Sequence, residues 1–160
     1  MKRSRFLIAV LGLVSAAGFG LATAAPATAD VTAAATPTCT SWTTVYAPYT
    51  TSYVLHIPTA GSQTANDNCV LRQGNRNDAV KVLQRALRYC SGYNIGIDGD
   101  YGPQTRGAVL DLQRRMNASY NAGLQEDGEY GPNTYNWVQF PAWSWPGNVM
   151  QNSCWHSTLP

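Results

Sequence analysis

Asp98-Gly99-Asp100-Tyr101-Gly102-Pro103-Gln104-Thr105 returns 29 residues later as Asp127-Gly128-Glu129-Tyr130-Gly131-Pro132-Asn133-Thr134. Each copy reads as a tight turn that feeds a helix. Gly99 and Gly128 suit a positive φ, Gly102 and Gly131 suit the N-cap, and Pro103 and Pro132 suit the first helical position. Thr105 and Thr134 then fall at N3, where a capping-box bond back to the N-cap backbone is expected. The acids before each helix, Asp98 with Asp100 and Asp127 with Glu129, favour the positive end of the helix dipole.

The same offset reaches back into the preceding helix. Ala79-Val80-Lys81-Val82-Leu83-Gln84-Arg85 stands 29 residues before Ala108-Val109-Leu110-Asp111-Leu112-Gln113-Arg114, and Val138 continues the Val80 and Val109 register. A first helix is expected from Asn77 or Asp78 to Tyr89, with Asn77 as N-cap and Val80, Leu83 and Leu87 as its buried stripe. The second runs from Pro103 to about Met116 with the stripe Val109, Leu112 and Met116. The third runs from Pro132 to Phe140 and stops at Pro141, with Tyr135 and Val138 inward. Three related helices point to a mainly α fold, a small three-helix bundle made by internal duplication.

Leu71-Arg72-Gln73-Gly74, the helix with Val80-Lys81-Val82-Leu83-Gln84, the two DG-x-Y-G-P-x-T phrases and Leu112-Gln113 together resemble the peptidoglycan-binding domain of bacterial cell-wall hydrolases. The resemblance covers about Cys69 to Phe140. It implies a three-helix fold that holds murein without cutting it. By the same resemblance, ligand contacts are sought around the turns and helix starts, at Tyr101, Gln104, Arg106, Tyr130 and Asn133, with Tyr93 and Arg72 as additional candidates. Tyr101 and Tyr130 carry a competing structural reading, because an aromatic fixed between DG and GP suits a turn anchored in the core.

The chain opens with basic Met1-Lys2-Arg3-Ser4-Arg5, an apolar stretch from Phe6 to Leu21, and small-residue patterns at Ala22-Thr23-Ala24 and Ala27-Thr28-Ala29. This reads as a secretory signal peptide over residues 1–29, cleaved after Ala29 or, next in preference, after Ala24, rather than an uncleaved anchor. Cleavage removes Lys2, Arg3 and Arg5, three of the eleven basic residues, and none of the nine acids, so a formal charge of +2 becomes −1. A nearly neutral mature protein lacks the electrostatic footprint of a nucleic-acid binder and has no bulk attraction to an anionic polymer. After signal removal no segment suits a membrane span, and a monomer is expected, secreted and extracellular or associated with the cell wall.

Residues 30–38 form an Ala/Thr/Pro linker. Residues 39–69 hold an N-terminal β-hairpin extension, with Trp42, Val45, Tyr46, Tyr49, Tyr53, Val54, Leu55 and Ile57 as strand formers and the reversal at Ala47 to Thr51. Residues 70–140 are the three-helix domain, and residues 141–160 a tail carrying three of the five tryptophans. Four cysteines in an exported chain indicate two disulfides. Of the three possible pairings, Cys39 with Cys69 and Cys90 with Cys154 is preferred, since it closes the hairpin segment on itself and ties the aromatic tail to the end of the first helix. A zinc site is the rival, disfavoured by the lack of a CxxC pair. The tail is expected to cover the bundle.

No catalytic constellation emerges. His56 and His156 are isolated, Cys154 is a half-cystine in the preferred pairing, and the acids of the repeat shape helix starts rather than forming a glycosidase pair. Asp98-Gly99-Asp100 falls short of a calcium loop, and Asn117-Ala118-Ser119 matches a glycan acceptor only formally. In related hydrolases the binding domain is fused to a catalytic one, and the tail after Phe140 leaves no room for it. The expectation is a free-standing, non-enzymatic protein that binds peptidoglycan without cofactor or metal. The alternative is a secreted interaction or inhibitor protein that uses the aromatic hairpin, with the bundle as scaffold.

Overall fold

The computed structural model describes residues 35–62 and 66–157. The expected signal peptide and most of the expected linker lie outside the described residues. The elements in order are β1 (Ser41–Tyr46), β2 (Tyr53–Thr59), α1 (Asp78–Arg85), α2 (Pro103–Tyr120), α3 (Pro132–Tyr135), β3 (Gln139–Ser144) and β4 (Met150–His156).

The architecture is mixed, and this corrects the mainly α, three-helix expectation. The four strands form one antiparallel sheet in the order β1-β2-β3-β4. The third helix is a single turn that ends at Tyr135. From Gln139 onward the chain is extended, because Phe140, Ala142 and their neighbours bury themselves by pairing with β2, with Leu55 opposite Ala142 and Val54 opposite Trp143. Pro141 is compatible with this strand because the β3–β4 register shifts between Pro141 and Trp143. The tail is thus two strands of the sheet, and the hairpin is the other two.

All three helix starts follow their local chemistry. Asn77 caps α1, its side-chain oxygen accepting from Val80 N at 3.1 Å. Gly102 and Gly131 are the N-caps of α2 and α3, each followed by proline. α1 continues into one π-helical turn, Ala86–Cys90, in which Ser91 N donates to Ala86 O at 3.2 Å. α2 runs past Met116 to Tyr120 and stops where Asn121 takes a left-handed conformation at φ 52°. The Asn117 amide is committed there, accepting from Leu124 N at 2.8 Å and donating to Leu124 O at 2.9 Å.

One core serves sheet and helices together. Val80, Leu83 and Leu87 join Val109 and Leu112, and Leu55, Ile57, Phe140 and Ala142 complete the same cluster from the sheet. The duplicated helices bury too little apolar surface alone, and the sheet supplies the rest. Cys39 is bonded to Cys69 and Cys90 to Cys154, across 30 and 64 residues. In the chain-entropy view each bridge stabilises the fold by about 4 kcal/mol.

Alternate residues of β1 are exposed, Trp42, Thr44 and Tyr46 among them. His56 is packed between two indoles, tilted against Trp42 at 4.3 Å and stacked on Trp143 at 4.8 Å between ring centroids. Burial, with a smaller contribution from the Arg85 charge, pulls the His56 pKa down to about 4.

Candidate functional site

The repeated phrases are built as two copies of one hydrogen-bonded cassette, centred on a buried glutamine. Gln84 and Gln113 are each 1% exposed. Gln84 Nε2 donates to Asp98 Oδ1 at 2.8 Å, Asp100 O at 3.0 Å and Thr105 Oγ1 at 3.1 Å, while its Oε1 accepts from Gly99 N at 2.9 Å. Gln113 repeats this with Asp127 Oδ1 at 2.9 Å, Glu129 O at 3.0 Å, Thr134 Oγ1 at 3.2 Å and Gly128 N at 2.8 Å. Each aspartate also folds over its own turn, Asp98 accepting from Asp100 N at 2.9 Å and Asp127 from Glu129 N at 2.8 Å. These bonds explain why the phrase needs Asp, Gly and Thr at fixed offsets.

The threonines therefore do not close a capping box. Thr105 and Thr134 turn their hydroxyls back to Asp100 O and Glu129 O, at 3.4 and 3.3 Å, because the glutamine amide lies on that side. Gly99 and Gly128 take φ of 81° and 71°. A Cβ on Gly128 would stand 2.8 Å from Arg106 Cγ, so glycine is required there for space as well as for conformation.

The cassette also determines the Asp98 carboxyl. The Asp100 N–H, then the Gln84 amide, hold its pKa below the usual carboxylate value. An acid kept ionised in this way is a poor proton donor for glycan cleavage.

The seven candidate contact residues fall in different environments. Tyr101 and Tyr130 are both 0% exposed, and burial pushes both phenols well up. The Tyr101 hydroxyl donates to Gly128 O at 2.9 Å, tying the first phrase to the second. The Tyr130 hydroxyl is buried with no hydrogen-bond partner among the described residues. Both rings are core anchors of their turns. Arg106 crosses to the second phrase, donating from Nη2 to Asp127 O at 3.0 Å. Arg72 Nε lies 3.8 Å from Glu129 Oε2. Gln104 and Asn133, equivalent exposed positions, line two equivalent clefts of about 400 and 150 Å³ beside the two helix starts. Both clefts have acidic walls, Asp98 with Asp100 in one and Asp127 with Glu129 in the other.

Tyr93 belongs to a separate cluster. Its hydroxyl donates to Asp111 Oδ2 at 2.8 Å, and the Arg115 guanidinium lies 5.0 Å from its ring centroid. Burial, then the Asp111 hydrogen bond, pushes its pKa up to about 12. Arg115 also pairs with Asp111 at 3.5 Å.

A third cleft, of about 410 Å³, opens where α2 meets the end of the π-helical turn and β4. Arg115, Met116 and Tyr120 line it from α2, Trp137 from the link before β3, and Gln139 and His156 from the sheet. Tyr120 and Trp137 form a tilted ring pair with centroids 5.7 Å apart. None of these six residues was among the sequence candidates. Only the assembled tail brings His156 and Gln139 to α2. The recurrence of Gln84 and Gln113 with Asp and Thr is visible in the sequence as repeat register, but the buried network they form is not. Among the described residues, no group of three or more His, Cys, Asp or Glu is placed to hold a metal ion.

Residues 76–138 match the family model described as a putative peptidoglycan binding domain. Among solved structures, a peptidoglycan-binding protein from Clostridioides difficile, in complex with glutamine hydroxamate, shares 31% identity at a TM-score of 0.41. The alignment covers 59% of this chain and 54% of that one, so the chain spans about half the length of the matched protein. Comparison with curated proteins gives no match. The segment from residue 76 to residue 138, both glutamine cassettes included, is thus similar to the putative peptidoglycan-binding domain family.

Proposed function

We propose that the protein is exported and docks on bacterial cell-wall peptidoglycan as a non-catalytic binding protein. The observation that carries this reading is the family match over residues 76–138, which contains both cassettes and both helix starts. The signal-like residues 1–29 and the two disulfides support export. Binding rather than cleavage is supported by the state of the chemically capable groups. All four cysteines are in disulfides, His56 is packed between indoles, and Asp98 and Asp127 spend an oxygen on the glutamine amide and a backbone N–H. Gln104, Asn133, Arg72 and Arg106 supply polar contacts near the two helix starts.

The test is co-sedimentation of the oxidised protein with purified sacculi, beside cellulose and chitin as competing polymers, and a dye-release assay on the same sacculi. Retention on sacculi with no dye release supports the proposal; retention on none of them rejects it. A second reading, a protein partner held by the hairpin, draws on the exposure of Trp42, Tyr46, Tyr49 and Tyr53. Hairpin deletion is unsuitable as a control, because Leu55 and Ile57 are core residues. Tyr46→Ser with Tyr49→Ser removes the exposed rings instead, and wild type that is not retained on sacculi but holds a protein partner lost in that variant would favour the second reading.

A further inference from the structure

We infer that the cleft between α2 and β4 is a subsite for a carboxylate-bearing stem peptide next to its sugar. This rests on the peptidoglycan reading and adds the chemical class and the place. Three observations point to it. First, the walls of the two helix-start clefts carry carboxylates, whereas this cleft is lined by no Asp or Glu and presents the Arg115 guanidinium. An anionic group is repelled from the former; in the latter it meets the Arg115 guanidinium, which pairs with Asp111 through Nε at 3.5 Å and, with five N–H donors, can serve a second carboxylate.

Second, the cleft has an aromatic wall. Tyr120 is 66% exposed, and its ring packs at an angle on Trp137. Aromatic faces of this kind accept the apolar C–H face of a sugar or a peptide methyl group, while Gln139 and His156 offer polar contacts. His156 Nδ1 has no hydrogen-bond partner among the described residues. A volume of about 410 Å³ holds one sugar ring with the first residues of a short peptide.

Third, the cleft is composite. Gln139 and His156 lie beyond the matched segment 76–138, and the Cys90–Cys154 disulfide joins the π-helical turn, whose Cys90 lines the cleft, to the strand carrying His156. The sheet-forming tail and its disulfide thus supply half of a wall that the family segment alone does not contain.

The test uses the full oxidised protein and two soluble probes: a disaccharide carrying a short peptide with free carboxylates, and the same probe with those carboxylates amidated. Affinities are read by calorimetry and by tryptophan fluorescence. The free-carboxylate probe is expected to bind wild type about tenfold or more tightly than the amidated one. Arg115→Gln is expected to lose that preference, and Tyr120→Ala to weaken both probes. Arg114→Gln, an adjacent charge loss paired with Glu126 outside the cleft, and Tyr49→Ser at the hairpin tip are expected to bind as wild type. Circular dichroism confirms that each variant is folded. Arg115→Gln and Tyr120→Ala binding both probes as wild type does, with sacculus retention intact, overturns the subsite alone. Failure of wild type to sediment with sacculi overturns the peptidoglycan reading and the subsite with it.

Discussion

Replacing Gln113 probes the cassette most sharply, because the amide serves two sides of the turn at once. In Gln113→Leu, Gly128 N–H loses the acceptor at 2.8 Å, and Asp127, Glu129 O and Thr134 lose a donor. Part of this is covered: Asp127 keeps the Glu129 N–H at 2.8 Å, and Glu129 O keeps the Thr134 hydroxyl at 3.3 Å. The uncovered group is the buried Gly128 N–H. One orphaned buried donor and the lost bond to a carboxylate together cost about 3 kcal/mol. Gln113→Glu keeps an acceptor for Gly128 but sets a second carboxylate about 2.9 Å from Asp127 Oδ1. Two carboxylates that close cannot both ionise, so the introduced pair has a folded-state pKa above its unfolded value. Its stability deficit against wild type is full at neutral pH and shrinks as pH falls through that raised pKa. Urea unfolding between pH 4 and pH 7 measures both effects, with unchanged slopes confirming a comparable transition. Gln84→Glu, facing Asp98, is expected to behave alike. Gln113→Leu within about 0.5 kcal/mol of wild type, or a pH-independent deficit in Gln113→Glu, would refute the cassette as a stabilising network.

The two buried tyrosines give opposite expectations. Tyr101→Phe removes the donor to Gly128 O and is expected to cost about 1 to 2 kcal/mol in urea unfolding, whereas Tyr130→Phe removes a hydroxyl with no partner among the described residues and is expected to be neutral or stabilising. A cost for Tyr130→Phe equal to that of Tyr101→Phe would contradict this. His56 takes up its proton near pH 6.5 in the unfolded chain and only near pH 4 in the folded one, so acid favours unfolding across that window. For a half-buried ring screened by solvent, wild type is expected to lose about 1 to 2 kcal/mol relative to His56→Phe between pH 7 and pH 4. Parallel pH profiles for the two proteins would rule out His56 as the group responsible.

What could be read from the sequence was local. Gly102-Pro103 and Gly131-Pro132 mark helix starts through covalent geometry, Asn77 caps through its own side chain, and Val80, Leu83 and Leu87 declare a buried stripe through helical period. The sheet was not legible in the same way, because β2 finds its partner in β3 more than eighty residues further on. In the sequence Val138 extends the helical register of Val80 and Val109, and Pro141 reads as the end of a helix, whereas it sits inside β3. Strand pairing across the whole chain overrode both signals, and it places Phe140 and Ala142 in the same buried cluster as Leu55. The third cleft was out of reach for the same reason. Its walls come from α2, Trp137 and β4, and only the assembled tail brings them together.

Recognition of the wall polymer is the property on which the proposed role of every contact residue depends. The most direct measurement is sedimentation of the oxidised full chain with purified sacculi across a range of salt, against cellulose and chitin. Saturable retention on sacculi, competed by soluble disaccharide-peptide and absent on the other two polymers, is the predicted result. Equal retention on all three polymers, or none on sacculi, would contradict it.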